Sequence, residues 1–192
     1  MASTFTDTTA YTYQYVDVKQ YIADALTGQL PATNFGAVYV FKNDPLDEAK
    51  FPAVGINMVS LDEQSTGLGL VTQTPTYDAT AQTYTEYQGM YLQETVEVRV
   101  FAQNADLRDK LRIFALATLF TLRNTLVQNG IDQIKISGGR DEQDNTLLQS
   151  GPLFMNAVLL SYLNPLNVQI QQTNVPAVTD VLPTPTLSDS TS

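Results

Sequence analysis

The chain has 192 residues, with 20 acidic against 10 basic, a formal net charge of -10, and no Cys or His. That inventory excludes disulfides, thiolate zinc sites, cysteine nucleophiles, Ser-His-Asp triads and imidazole acid–base chemistry, leaving any reaction to Asp, Glu, Lys, Tyr, Ser or Thr. A pI near 4.2 opposes wrapping of nucleic acid in a basic groove; it suits solubility, a basic partner, or a surface past which DNA slides without sticking.

The length fits one domain with appendages. Hydrophobic residues make up 43% and mean hydropathy is -0.11. No apolar run approaches the roughly 18 residues of a membrane span. The opening MASTFTDTTA lacks a basic start and an apolar core, so a secretory signal is not expected.

Residues 1–15 read as an N-terminal arm in which Tyr11, Tyr13 and Tyr15 alternate, as in a short strand or an adhesive edge. From about Asp17, the spacing of Val18, Tyr21, Ile22, Ala25 and Leu26 predicts a first amphipathic helix, stopped by Gly28 and Pro31. Phe35–Phe41 predicts a strand. A turn through Asn43, Asp44 and Pro45 leads to a second, with Val54, Ile56 and Met58 alternating. The two are candidates to pair as neighbours across a loop longer than a tight hairpin.

Residues 61–91, with Gly67, Gly69, Pro75 and Gly89, are too long for a plain connector and predict a projecting hairpin-like insertion. Leu68, Tyr77, Tyr84 and Tyr87 are its candidate partner-binding residues. Leu92–Phe101 alternates cleanly, with Val96, Val98 and Val100 opposite Thr95, Glu97 and Arg99.

That strand feeds the dominant element, Gln103–Gly130. Asn104 suits an N-cap, Asp106 the positive end of the helix dipole, and Gly130 a left-handed stop. The rod is about 37 Å long at 1.5 Å per residue. Leu107, Leu111, Phe114 and Leu122 form one stripe, and Ile113, Leu116, Phe120 and Val127 a second. A third face holds Arg108, Arg112 and Arg123 with Leu119 and Leu126. One sheet needs only one stripe. The excess implies cover by the first helix, by a thick monomer core or by a neighbouring subunit. The third face is the candidate oligomer interface, its arginines set to pair with acids such as Glu48 or Asp62.

Ile131–Ser137 predicts a strand, Gly138–Ser150 a turn or open loop, and Leu153–Leu163 a final central strand closed by Asn164-Pro165. Residues 164–192, punctuated by Pro165, Pro176, Pro183 and Pro185, read as an extended C-terminal arm after a domain spanning residues 1–163. The expected class is α+β: a small mixed or antiparallel sheet packed by a short N-terminal helix and one long central helix.

Chemistry-bearing motifs are sparse. Gly67-Leu68-Gly69 lacks the Gly-Lys-Ser/Thr of a phosphate loop, and Gly138-Gly139-Arg140 precedes no helix. Asp141, Glu142 and Asp144 miss the calcium-loop spacing. Glu94 and Glu97, three apart on a strand, point to opposite faces. No catalytic, cofactor or metal site is expected.

The segment VEVRVFAQNADLRDKLRIFALATLFTLRNTL joins an alternating strand, a polar turn and a long helix with Arg near its start. With the helix and strand pair before it and the strands after it, it resembles the tail-terminator and neck proteins of tailed bacteriophages over roughly Asp17–Leu163. The resemblance implies a non-enzymatic virion protein forming a homo-oligomeric ring, typically a hexamer, at the head-proximal end of the tail. Such a ring ends tail-tube growth, meets neck, connector, tube or sheath proteins, and passes DNA through an acidic channel without sequence-specific binding. Assembly in the host cytoplasm, with no membrane partner, follows from the same resemblance. Other phage connectors, tail-tube components, or an acidic cytosolic binding module or assembly chaperone remain alternatives.

Overall fold

The computed structural model describes residues 8–30, 35–43, 51–64, 70–144 and 153–173. Strand β1 (Thr8–Gln14) precedes helix α1 (Val18–Gln29), then β2 (Tyr39–Phe41), β3 (Ala53–Gln64), β4 (Leu70–Asp78) and β5 (Thr83–Ala102). Helix α2 (Ala105–Gln128), β6 (Asp132–Asp144) and β7 (Leu153–Thr173) complete the order. The strands form one seven-stranded sheet, antiparallel at every pairing except β2 with β3. The fold is therefore α+β, a mostly antiparallel sheet with two helices.

The spine is the β5–β7 ladder, in which all 20 residues of β5 pair without a bulge, from Thr83 opposite Thr173 to Ala102 opposite Phe154. At 3.4 Å per residue it runs about 68 Å. Helix α2 has 24 residues, about 36 Å at 1.5 Å each, so it can cover only half of that length. It starts just after Ala102 and ends where Gly130 meets Pro165. The covered half, flanked by β6 on one side and β3 then β2 on the other, is the body. The other half, flanked by β4 and β1, continues past the helices as a four-stranded arm.

Local signals place the helices. The Asp17 carboxylate accepts the Gln20 N–H at 3.0 Å, and the Asn104 side chain accepts the Leu107 N–H at 2.8 Å. Gly130, at φ +90°, takes the left-handed turn that ends α2. Strand alternation then sorts the residues. Val96, Val98 and Val100 point to the helix side and are buried with Val18, Ile22 and Leu26 of α1 and Leu111, Ala115, Leu119, Leu122 and Leu126 of α2. A smaller cluster of Ala53, Phe101, Leu153 and Met155 lies apart from it, with Phe41 and Phe51 against it.

Three expectations are corrected. Residues 138–144 are not loop, because β6 continues to Asp144 through a register shift between Gly138 and Asp141. A Cβ on Gly139 would lie 2.6 Å from that of Ala157, so this bulge demands glycine. The last strand does not stop at Leu163 but runs to Thr173, so residues 164–173 belong to the sheet. Pro165 falls between the last β6 partner, Leu163, and the first β1 partner, Asn167, where β7 has a neighbour on one side only and tolerates a residue without an N–H. Finally, only Tyr39–Phe41 of the expected Phe35–Phe41 strand pairs, and it lies parallel to β3.

In the 61–91 region, β4 does pair antiparallel with the start of β5, through a turn in which Asp78 accepts the N–H groups of Thr80 and Ala81. It is no free-standing hairpin, because β7 holds the other side of β5. The expected extension beyond residue 173 lies outside the described residues.

Replacing Gly139 by Val should cost about 1–3 kcal/mol, because β6 must pull away from Ala157. Asn104→Ala should cost about 1 kcal/mol through the lost cap. Urea unfolding midpoints would read both, and a Gly139→Val protein as stable as the parent would contradict the bulge geometry.

Candidate functional site

Of the residues expected at an oligomer interface, Leu119 and Leu126 are 1% and 0% exposed and belong to the chain's own core. They cannot serve as a docking surface, which corrects that assignment. Arg108 pairs with the adjacent Asp109 at 2.8 Å and is largely covered. Arg112 and Arg123 are exposed, and neither pairs with an acid among the described residues. Asp62 is exposed on β3, while Glu48 lies outside the described residues.

The stripe left uncovered is the second one. Ile113, Leu116, Phe120 and Val127 stay exposed, Phe120 at 69%, on the side of α2 opposite the buried leucines. Helix α1 packs on α2 without reaching them; its contact includes Thr118 Oγ1 donating to Gln29 Oε1 at 3.0 Å. This row of large apolar side chains, flanked by Arg112 and Arg123, has the composition of an interface rather than of a solvated surface.

A second uncovered surface lies on the arm. Residues opposite one another across a ladder share a face. The face that carries Val96 in the body therefore carries Met90 with Leu166, Val168 and Ile170 in the arm. On β1, Tyr13 lies opposite Val168 and Tyr11 opposite Ile170, placing both tyrosines on that same face; they are 73% and 69% exposed. Tyr77 and Tyr84, two of the expected partner-binding residues, pair across β4 and β5 on this face too. Tyr87 points to the other side, which is lined by Thr83, Thr85, Gln169 and Gln171, and Leu68 lies outside the described residues. The arm's helix side is thus rich in aromatic and aliphatic side chains, with Glu86, Gln88 and Gln172 among them, and its reverse is mainly threonine and glutamine beside Tyr87.

Where body and arm meet, Glu94 is fully buried on the helix-side face. Its carboxylate accepts the Tyr15 hydroxyl at 2.9 Å and the Asn164 amide at 3.4 Å, while the same amide donates to the Val16 carbonyl at 2.9 Å. Tyr162, beneath them, is buried, and its hydroxyl makes no hydrogen bond of good geometry. Burial first, then the neighbouring Glu94 carboxylate, pushes the pKa of both Tyr15 and Tyr162 well above the usual tyrosine value. This cluster fastens the N-terminal strand to β5 and β7 at the point where the helix layer ends. Glu97 faces the opposite side and pairs with Arg99 at 2.6 Å, as the strand spacing requires.

Glu94 carries a signal that the sequence holds and that is easy to pass over. It shares the parity of Val96, Val98 and Val100, so an alternating strand must bury it. Among the described residues, no group of three or more His, Cys, Asp or Glu side chains is placed to hold a metal. No helix among them is long and apolar enough to cross a membrane. The side chains of Asp141, Glu142 and Asp144 lie outside the described ones. The chain matches no protein-family model and no curated protein sequence.

Removing the hydroxyl with Tyr15→Phe leaves a buried carboxylate short of its best donor and should cost about 1–3 kcal/mol. The folded state also holds the Tyr15 and Tyr162 protons more tightly than the unfolded chain does. The stability this linkage gives is complete below the unfolded tyrosine pKa of about 10 and drains away as pH rises above it. Urea midpoints measured from pH 8 to pH 11.5 should fall in the alkaline range, and fall less steeply in Tyr15→Phe; a flat profile in the parent would refute the linkage.

Proposed function

We propose that this chain is a structural, non-enzymatic subunit of a homo-oligomeric ring in a tailed-phage particle, at the tail terminus or neck. One observation carries the reading: the outer stripe of α2, with Phe120 at its centre, is too apolar and too exposed to face water in the working protein. Three further features support it. The resemblance to tail-terminator and neck proteins rests on an order of helix, strand pair, strand, long helix and two strands, and the α+β body of this chain keeps that order. The net charge of -10 suits a channel that DNA must pass without adhering. The one carboxylate buried among the described residues, Glu94, is tied up by Tyr15 and Asn164 and serves cohesion rather than bond-making.

On this reading α2 is the central rod of each subunit. The β arm reaches beyond the body to neighbouring subunits or to tube, sheath and connector proteins. The ring ends tail-tube growth and hands DNA between head and tail; hexameric closure is the arrangement the resemblance implies.

Mass measurement of the purified chain, with negative-stain images, should show a closed ring with a central opening. Antibody labelling should place the chain at the tail–head junction of particles. A strictly monomeric protein absent from particles would overturn the reading. A one-to-one complex with a basic protein, lost at high salt, would favour an acidic assembly chaperone instead.

A further inference from the structure

The chain carries two uncovered apolar surfaces of different shape. One is the convex outer stripe of α2, Ile113 to Val127; the other is the helix-side face of the arm, around Tyr11, Tyr13, Val168 and Ile170. We propose that they are two sides of a single contact: the arm of one copy lies over the outer stripe of α2 in the next copy. The inference rests on the ring reading above and assigns its interface.

The first argument is packing. In the body, the helix-side face of β5 and β7 is covered by the inner stripe of α2. In the arm, the same face of the same strands continues with no helix upon it among the described residues. The missing layer is a helix with an apolar stripe turned outward, and among the described residues α2 offers such a surface. A neighbour's arm placed there sandwiches α2 between its own sheet and the next copy's sheet, so both of its apolar stripes are buried.

Lengths agree. The stripe from Ile113 to Val127 spans about 21 Å at the helical rise. The arm segment of β5 from Thr83 to Met90 spans about 24 Å at the strand rise. A single arm therefore covers the stripe without bending.

Charge points the same way. The stripe is flanked by Arg112 and Arg123, which lack acidic partners among the described residues. The helix-side face of the sheet brings acids to meet them: Glu86, opposite Ile170, and Glu63, opposite Leu92. Glu63 is exposed, and Glu86 accepts only a neutral Gln88 amide, at 2.9 Å. Basic flanks on the rod and acidic neighbours on the arm fit each other and repel their own kind. Rod-on-rod and arm-on-arm pairing are thereby disfavoured.

Because the two surfaces differ, the contact is head to tail, and each copy uses one surface toward each neighbour. Such contacts close into rings when the rotation allows and otherwise grow into filaments.

The test uses Phe120→Glu, which spoils the rod, and Tyr13→Glu, which spoils the arm. Both positions are exposed, 69% and 73%, so each variant should fold, as far-ultraviolet circular dichroism and a parent-like melting curve would confirm. Each variant alone should sediment as a monomer at concentrations where the parent assembles, a loss of at least about tenfold in affinity. An equimolar mixture should form a one-to-one pair and stop there, because only the intact arm of the first and the intact rod of the second can meet. If either variant alone keeps the parent's size, or the mixture stays monomeric, the assignment is wrong while the ring reading stands. If the folded parent is itself monomeric, both fail together.

Discussion

Everything in this fold hangs on the unbroken register between β5 and β7. Their pairing sets the body, because the helices lie on one half of it. It also sets the arm, because the other half runs on past both described helices. Since the ladder has no bulge along its 20 pairs, the alternation that buries Val96, Val98 and Val100 reaches Met90 and Glu86 without losing phase. The register shifts of this sheet are confined to its flanks: between Met58 and Ser60 in β3, within β4, and in β6 both between Asp132 and Lys135 and around Gly139. The flanking strands absorb the mismatch and the central pair stays regular.

Much of the local structure was legible from residues alone, because its signals are local. Asp17 and Asn104 cap helices, Gly130 ends one, and the valines of β5 alternate; each depends on neighbours within a turn or two. What depends on distant partners was not legible. Asn164-Pro165 reads as a stop, yet the strand continues because β1, some 150 residues earlier in the chain, takes up pairing at Asn167. Gly138-Gly139 reads as a turn, yet it is a bulge forced by Ala157 on the facing strand.

The helix wheel shows the same boundary at the functional surface. It resolved three apolar rows on α2 but held no information on which row meets the sheet. Arginines on the same face made Leu119 and Leu126 look like an interface, whereas the next row round, Ile113 to Val127, is the one left exposed. Glu94 shows the limit from another side. Spacing separates it from Glu97 but does not reveal its partners; the Tyr15 and Asn164 donors that let a carboxylate be buried come from opposite ends of the chain.

The polar cluster at Glu94 also fixes the stiffness of the projection. β5 and β7 cross from body to arm without a linker, and Tyr15 and Asn164 brace the crossing from the side. A flexible tail must surrender its conformational freedom on meeting a partner, at a cost that grows with every residue ordered. This limb has its shape and bearing settled when the chain folds, so in the proposed contact it would act as a rigid lever, with orientation dictated by the trunk that carries it.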